Sequence, residues 1–201
     1  AYCPENLKFV ADIELANGIN RFVIHESAHQ PSDVHVPGLS LGGCGQWFNR
    51  HETWAEMATV WSEYMARSCF MLQAGKNVAD ILYYYGEDSS VCSEFGRFPT
   101  MPAGYEWDYC SPHALINAVT PKGGELVSIG GTRYKLLLMD RNMDYVSLNV
   151  LRRIAELADA GVVISAVKPK YPASLIDDQA EFDALVADIF ESNRENVYVD
   201  V

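Results

Sequence analysis

Two short blocks hold most of the side chains in this chain that could do chemistry. One is His25-Glu26-Ser27-Ala28-His29-Gln30-Pro31, and the other is Asn49-Arg50-His51-Glu52-Thr53-Trp54-Ala55-Glu56. With His35 between them, the stretch 19–56 contains four of the five histidines. A glycine-rich connector, Pro37-Gly38-Leu39-Ser40-Leu41-Gly42-Gly43-Cys44-Gly45, joins the blocks. Titratable groups at strand ends, carried on glycine-containing loops, are where α/β proteins commonly keep their active sites.

The first block also contains a metal-binding pattern. His25-Glu26-x-x-His29, with His35 six residues further on, has the spacing of a zinc metalloprotease. That chemistry needs a helix, because only there do residues i and i+4 share a face and aim two imidazoles at one zinc. The flanks oppose a helix. Gly18 is a breaker, and Ile19-Asn20-Arg21-Phe22-Val23-Ile24 is a β-branched and aromatic run that reads as a buried strand. Pro31 restricts Gln30 and ends a helix almost at once. Ser32 stands where the extended motif has glycine, and 24 residues upstream of His25 are too few for the sheet such proteases carry. The zinc protease is kept as the alternative reading.

The elements that would position these blocks follow from periodicity and punctuation. Residues 5–16 read as a helix begun near Pro4 and stopped by Asn17-Gly18. Thr53-x-x-Glu56 reads as a capping box opening a long helix with a stripe of Trp54, Met57, Ala58, Trp61, Met65, Cys69 and Leu72, closed by Gly75. Strands are expected near 79–85, 105–109, 134–139, 162–166 and 197–201. Helices are expected at Ser111–Val119, after Ser147, and around Phe182–Phe190, with a hairpin across Gly130-Gly131. Strands alternating with helices predict an α/β protein: a three-layer, doubly wound, mostly parallel sheet over residues 76–201. Residues 1–75 are too short to close a core of their own, and the boundary falls near Gly75-Lys76.

Composition narrows the classes. The chain has 201 residues, 49% of them hydrophobic, enough for one medium domain or a small one with an appendage. A net charge of −12 without a basic cluster argues against a nucleic-acid partner. No apolar run reaches membrane-spanning length and no signal peptide is visible, so no membrane partner is expected. The chain starts at Ala1, which suggests a processed or excised piece. Five scattered cysteines without a C-x-x-C pair read as reduced thiols, not as a disulfide or zinc framework.

These stretches resemble the α-L-rhamnosidase family of glycoside hydrolases (family 106). The matching residues are Gly18–His25, Ala28–Pro31, Pro37–Gly42, Trp54, Tyr64–Arg67, Leu72–Gly75 and Val78–Ile81. The resemblance continues through Ala103-Gly104-Tyr105, Asp108 and the 148–161 helix. It implies that residues 1–75 are the last β/α unit of a (β/α)8 barrel, with its loop and long helix. Residues 76–201 would then be an accessory domain, flavodoxin-like or resembling class I glutamine amidotransferases. The activity implied is that of an inverting hydrolase of α-L-rhamnosides in plant or microbial polysaccharide, bacterial and secreted or periplasmic, and inactive as this piece alone.

Inverting chemistry needs one carboxyl group to protonate the leaving oxygen and another to activate water. The resemblance makes Glu26 and Glu52 the catalytic candidates, with at least one further carboxylate upstream of residue 1. Glu56 is discounted by its capping role. His25, His29, Asn49, Arg50 and His51 are the candidates for recognising hydroxyls, and Trp47 for stacking on a sugar face. This sequence has Asn49-Arg50 where the family commonly has Glu-Arg, and Glu52 where it has Gln. Calcium is expected in the full-length enzyme, and no cofactor or metal in this piece. Carbohydrate is the expected partner, and the exposed 1–75 segment is a candidate surface for oligomerisation. A non-catalytic α/β accessory or interaction domain is a further alternative, and a third class would centre on Cys110 as a nucleophile. It sits at a strand-to-helix turn before Ser111-Pro112-His113, as an amidotransferase nucleophile does, but lacks the Gly-x-Cys-x-Gly turn. A buried structural thiol is preferred there.

Overall fold

The computed structural model describes residues 2–40, 42, 48–88 and 99–199. The chain divides into two compact units, Ala1–Gly75 and Lys76–Val201.

The first unit has two helices, α1 (Pro4–Ala16) and α2 (Ala58–Ala74), the second preceded by a 3-10 turn, Ala55–Met57. Pro4 starts α1, where its missing N–H costs nothing. Its end is set by Gly18 at φ +92°: the Gly18 N–H donates to the Leu15 carbonyl and the Ile19 N–H to that of Glu14, so two terminal carbonyls are satisfied. The two helices are tied by Tyr64 on α2, whose hydroxyl donates to Asp12 while its ring lies under the Lys8 ammonium at 4.5 Å. Ala11, Trp54 and Trp61 are the buried apolar side chains of this unit among the described residues.

Three expectations about this unit need correction. Residues 19–24 form no strand: their β-branched composition favours extended backbone, but a ladder needs a partner, and none is paired with them among the described residues. Val23 is accordingly 93% exposed. The Thr53–Glu56 capping box is also absent, because the 3-10 turn intervenes and Met57, not Thr53, stands at the N-cap of α2. Of the stripe drawn along α2, Trp54 and Trp61 are buried whereas Met57 and Leu72 are exposed.

The second unit is mixed α/β with a mostly parallel central sheet. Its elements run β1 (Ile81–Tyr84), β2 (Trp107–Cys110), α3 (Pro112–Asn117), β3 (Val119–Lys122), β4 (Glu125–Ser128), β5 (Arg133–Tyr134) and β6 (Leu136–Met139). They continue with β7 (Tyr145–Val146), α4 (Leu148–Asp159), β8 (Ile164–Ala166), β9 (Tyr171–Pro172), α5 (Gln179–Phe190) and β10 (Val197–Val199). The main sheet has the order β10-β8-β6-β1-β2, all parallel, with Ile81 of β1 opposite both Trp107 and Leu136. β1 lies inside it, and all four of its residues are buried, as an interior parallel strand requires. Hydroxyl and carboxylate N-caps start the helices: Ser111, Ser147 and Asp178 accept from the N–H groups of Ala114, Val150 and Glu181.

Helices were expected on both faces of this sheet. The crossovers carrying α3, α4 and α5 all step along it in one direction, and same-handed crossovers place such helices on one face. α4 packs against both α3 and α5 accordingly. The described residues of the β1–β2 connection contain no helix, and the other face of the sheet carries the aromatic side chains of its strands. There the rings of Tyr83, Trp107 and Tyr109 meet edge to face, and the Tyr83 hydroxyl donates to buried Asp140. The hairpin across Gly130-Gly131 forms as β4–β5, but β3 was not foreseen. β3 pairs with β4 through Gly123 and Gly124, at φ +63° and +80°, the two positive values a tight hairpin turn needs.

Candidate functional site

The two blocks singled out by residue type come together. The Phe48 N–H donates to the Glu26 carbonyl at 3.0 Å. The Arg50 guanidinium donates to the Gln30 carbonyl at 2.8 Å and to Asp33 at 2.7 Å. The second block is itself held by a local turn. Asn49 Oδ1 accepts from the His51 N–H at 2.8 Å and the Asn49 carbonyl from the Glu52 N–H at 3.2 Å, while Phe48 meets Trp54 edge-on at 5.4 Å. Asn49 and Arg50 are thus engaged in building the site.

What this turn presents is unusual. His51 Nε2, Glu52 Oε1 and Trp54 Nε1 are buried and have no hydrogen-bond partner among the described residues. A buried polar atom left unpaired costs about 1–3 kcal/mol, so three in four residues call for an explanation. Glu26, in the other block, is half-buried and has interactions of its own.

A residue that the sequence reading did not single out organises the loop between the blocks. Gln30 is 7% exposed, and its side-chain amide closes on the Leu39 peptide. Oε1 accepts from the Leu39 N–H at 2.8 Å, and Nε2 donates to the Leu39 carbonyl at 2.6 Å and to the Ala28 carbonyl at 3.2 Å. Gly38 makes room for this clamp: at φ +90°, a Cβ there would lie 1.9 Å from Gln30 Oε1 and 3.3 Å from His51 Cδ2. No local pattern announces Gln30; the Pro37-Gly38 pair was the one available sign of a tight approach. The clamped loop 30–39 lines a cavity of about 290 Å³.

The remaining candidates are placed as follows. His25 and His29 are both exposed, and residues 19–32 contain no helical turn, so the shared helical face on which the zinc reading depends does not exist. His35 pairs through Nδ1 with Ser32 Oγ at 3.0 Å. No three His, Cys, Asp or Glu side chains converge as a metal site among the described residues. Trp47 lies outside the described residues. Glu56 is exposed and caps nothing. In the second unit Cys110 is fully buried, and burial pushes its thiol up to about 12 from an ordinary 9.0. A thiol in that environment stays protonated at neutral pH and is a poor nucleophile.

With this geometry in view, the likeness to known proteins can be stated. The family described as alpha-L-rhamnosidase matches residues 1–200. A protein of Formosa agariphila named "Putative beta-glucuronidase" is 37% identical over 172 residues, which is 86% of this chain and 14% of that protein. The solved rhamnosidase from Novosphingobium sp. PP1Y superposes with a TM-score of 0.85 at 37% identity, over 100% of this chain and 20% of that one. The chain therefore spans no more than a fifth of the length of either relative.

Proposed function

Because this chain belongs to the alpha-L-rhamnosidase family of glycoside hydrolases, we propose that it supplies one wall of the active site of an inverting α-L-rhamnosidase acting on plant or microbial polysaccharide. The observation that carries this reading is the unpaired, buried carboxylate oxygen of Glu52, on a turn hydrogen-bonded to the His25–Gln30 block. A carboxylate oxygen that no other protein group engages is open to hydrogen-bond a leaving oxygen. Glu26, on the segment that Phe48 joins to this turn, is the second carboxylate of the wall. His51, His25, His29 and Trp47 serve recognition of the sugar, and Arg50 and Asn49 hold the turn in shape. At least one further catalytic carboxylate comes from upstream, so the 201 residues alone have no turnover.

In this reading, residues 1–75 are the closing β/α unit of a (β/α)8 barrel. That residues 19–24 have no ladder partner among the described residues, where the buried apolar side chains of this unit are Ala11, Trp54 and Trp61, supports it. Residues 76–201 are a flavodoxin-like accessory domain. Numbered along the chain, the five parallel strands have the order 2-1-3-4-5, which is that of doubly wound flavodoxin-like sheets. Calcium in the full-length enzyme needs a cage of six or more oxygens. Among the described residues no three His, Cys, Asp or Glu side chains converge to begin such a cage.

A neutral sugar is favoured over a uronic acid, because Arg50, the one Lys or Arg within the two blocks, is already committed to Asp33 and the Gln30 carbonyl. The test is hydrolysis of aryl α-L-rhamnoside and aryl β-D-glucuronide by the full-length protein, with the first-formed anomer read by proton NMR. The expected result is release of β-L-rhamnose from the rhamnoside. Initial release of the α anomer would refute inversion, and turnover of the glucuronide alone would refute the substrate.

A further inference from the structure

We propose that the cavity lined by the 30–39 loop is the subsite that receives the methyl end of a 6-deoxy sugar, an inference that rests on the α-L-rhamnoside reading. L-Rhamnose is a hexose whose C6 carries no hydroxyl. A site selective for it must bury a methyl group at one end of the ring and meet hydroxyls at the other. The cavity has this division. Val36, Pro37 and Leu39 make an apolar wall, while Ser32 and His35 form a hydrogen-bonded polar pair at 3.0 Å. Within these 201 residues neither Val36 nor Leu39 is packed into a core.

The other polar residue of the lining, Gln30, is not available to a ligand. Its amide is taken up by Leu39 and Ala28, so it contributes shape and rigidity. Arg50 adds to this by bridging the Gln30 carbonyl and Asp33, tying both ends of the Gln30–Asp33 turn to the second block. Such a pre-shaped loop spends little of its binding energy on ordering. The polar end of the ring has a further partner in reach of the loop. His51 packs against Gly38, which lines the cavity, and its Nε2 is buried without a partner among the described residues. At about 290 Å³ the cavity lies at the small end of the range for ligand sites, roughly 300–1,000 Å³, a size for one sugar ring and not for an oligosaccharide.

The test compares kcat/KM of the full-length protein on aryl α-L-rhamnoside and aryl α-L-mannoside, which differ by a single hydroxyl on C6. An apolar pocket discriminates at this level by about 10- to 200-fold. Val36→Ser replaces the apolar end of this side chain with a hydroxyl and so makes the wall polar. It is expected to lower the rhamnoside-to-mannoside ratio about tenfold, through a higher KM for the rhamnoside at nearly constant kcat. Val36→Leu should retain the ratio. Rhamnoside hydrolysis with a ratio unmoved by Val36→Ser would overturn the subsite alone. Failure of the unaltered protein to hydrolyse either glycoside would overturn the proposed function, and the subsite with it.

Discussion

Gly38→Ala is the substitution whose consequence can be worked most closely from the geometry. The new Cβ would sit 1.9 Å from Gln30 Oε1 and 2.8 Å from its Cδ, so the amide must leave its place. Its bonds to the Leu39 N–H and carbonyl then go, a loss of about 1–3 kcal/mol for two hydrogen bonds. The φ of +90° adds about 1–2 kcal/mol for a residue with a side chain. Gly18 provides the control: its φ is +92° but nothing lies within 4 Å of its Cβ position, so Gly18→Ala incurs the backbone cost only. Hydrogen exchange in the full-length protein reads both. The Leu39 amide should exchange roughly 30-fold to a few thousand-fold faster in Gly38→Ala, and the Ile19 amide about 5- to 30-fold faster in Gly18→Ala. Gln30→Ala should nearly match the clamp loss. Adding Gly38→Ala to it should then cost only the backbone part, because the atom to be struck is gone. Equal effects at the two glycines, or full additivity with Gln30→Ala, would refute the clamp.

Other consequences are simpler to read. In native protein at pH 8, iodoacetamide should label exposed Cys3 and leave buried Cys110 untouched, as peptide mapping would show; labelling of Cys110 would mean that its turn opens. The unfolded chain ionises this thiol above its ordinary 9.0, whereas the folded one holds its proton up to about 12. Its contribution to stability is therefore full below pH 9 and is lost as pH rises from 9 toward 12, and Cys110→Ala should flatten that part of a urea-denaturation profile against pH. Thr53→Ala should change stability by less than about 0.5 kcal/mol, since no capping bond exists to lose; a drop of 1 kcal/mol or more in denaturant unfolding would restore the capping box.

The second unit was largely legible in its residues because its signals are local. Apolar runs such as Leu136–Met139 are buried or half-buried strands in the interior of a parallel sheet, and Ser111 and Ser147 cap the helices they precede. β3 escaped notice because Pro121 lies within it and proline is a poor strand residue, although it pairs at the edge of the small sheet. In the first unit the same local logic fails where structure depends on partners. Residues 19–24 have strand composition without a ladder, and Thr53-x-x-Glu56 has the letters of a cap without the geometry. The blocks around Glu26 and Glu52 stood out by residue type. Their meeting through Phe48, Arg50 and Gln30 did not, because hydrogen bonds spanning 9 to 22 residues leave no periodic trace. Nor could burial without a partner at His51, Glu52 and Trp54 be read from letters alone.

The central claim, that this segment brings a working carboxylate to a glycoside hydrolase site, is tested most directly by kcat of the full-length enzyme on aryl α-L-rhamnoside after Glu52→Gln. The change is isosteric, so folding is retained, and loss of a general acid or base is expected to lower kcat by about 10²-fold or more. Glu26→Gln, measured beside it, separates the carboxylate of the first block from the one on the turn. If both variants keep the turnover of the unaltered enzyme, the catalytic pair lies wholly upstream and the claim is wrong.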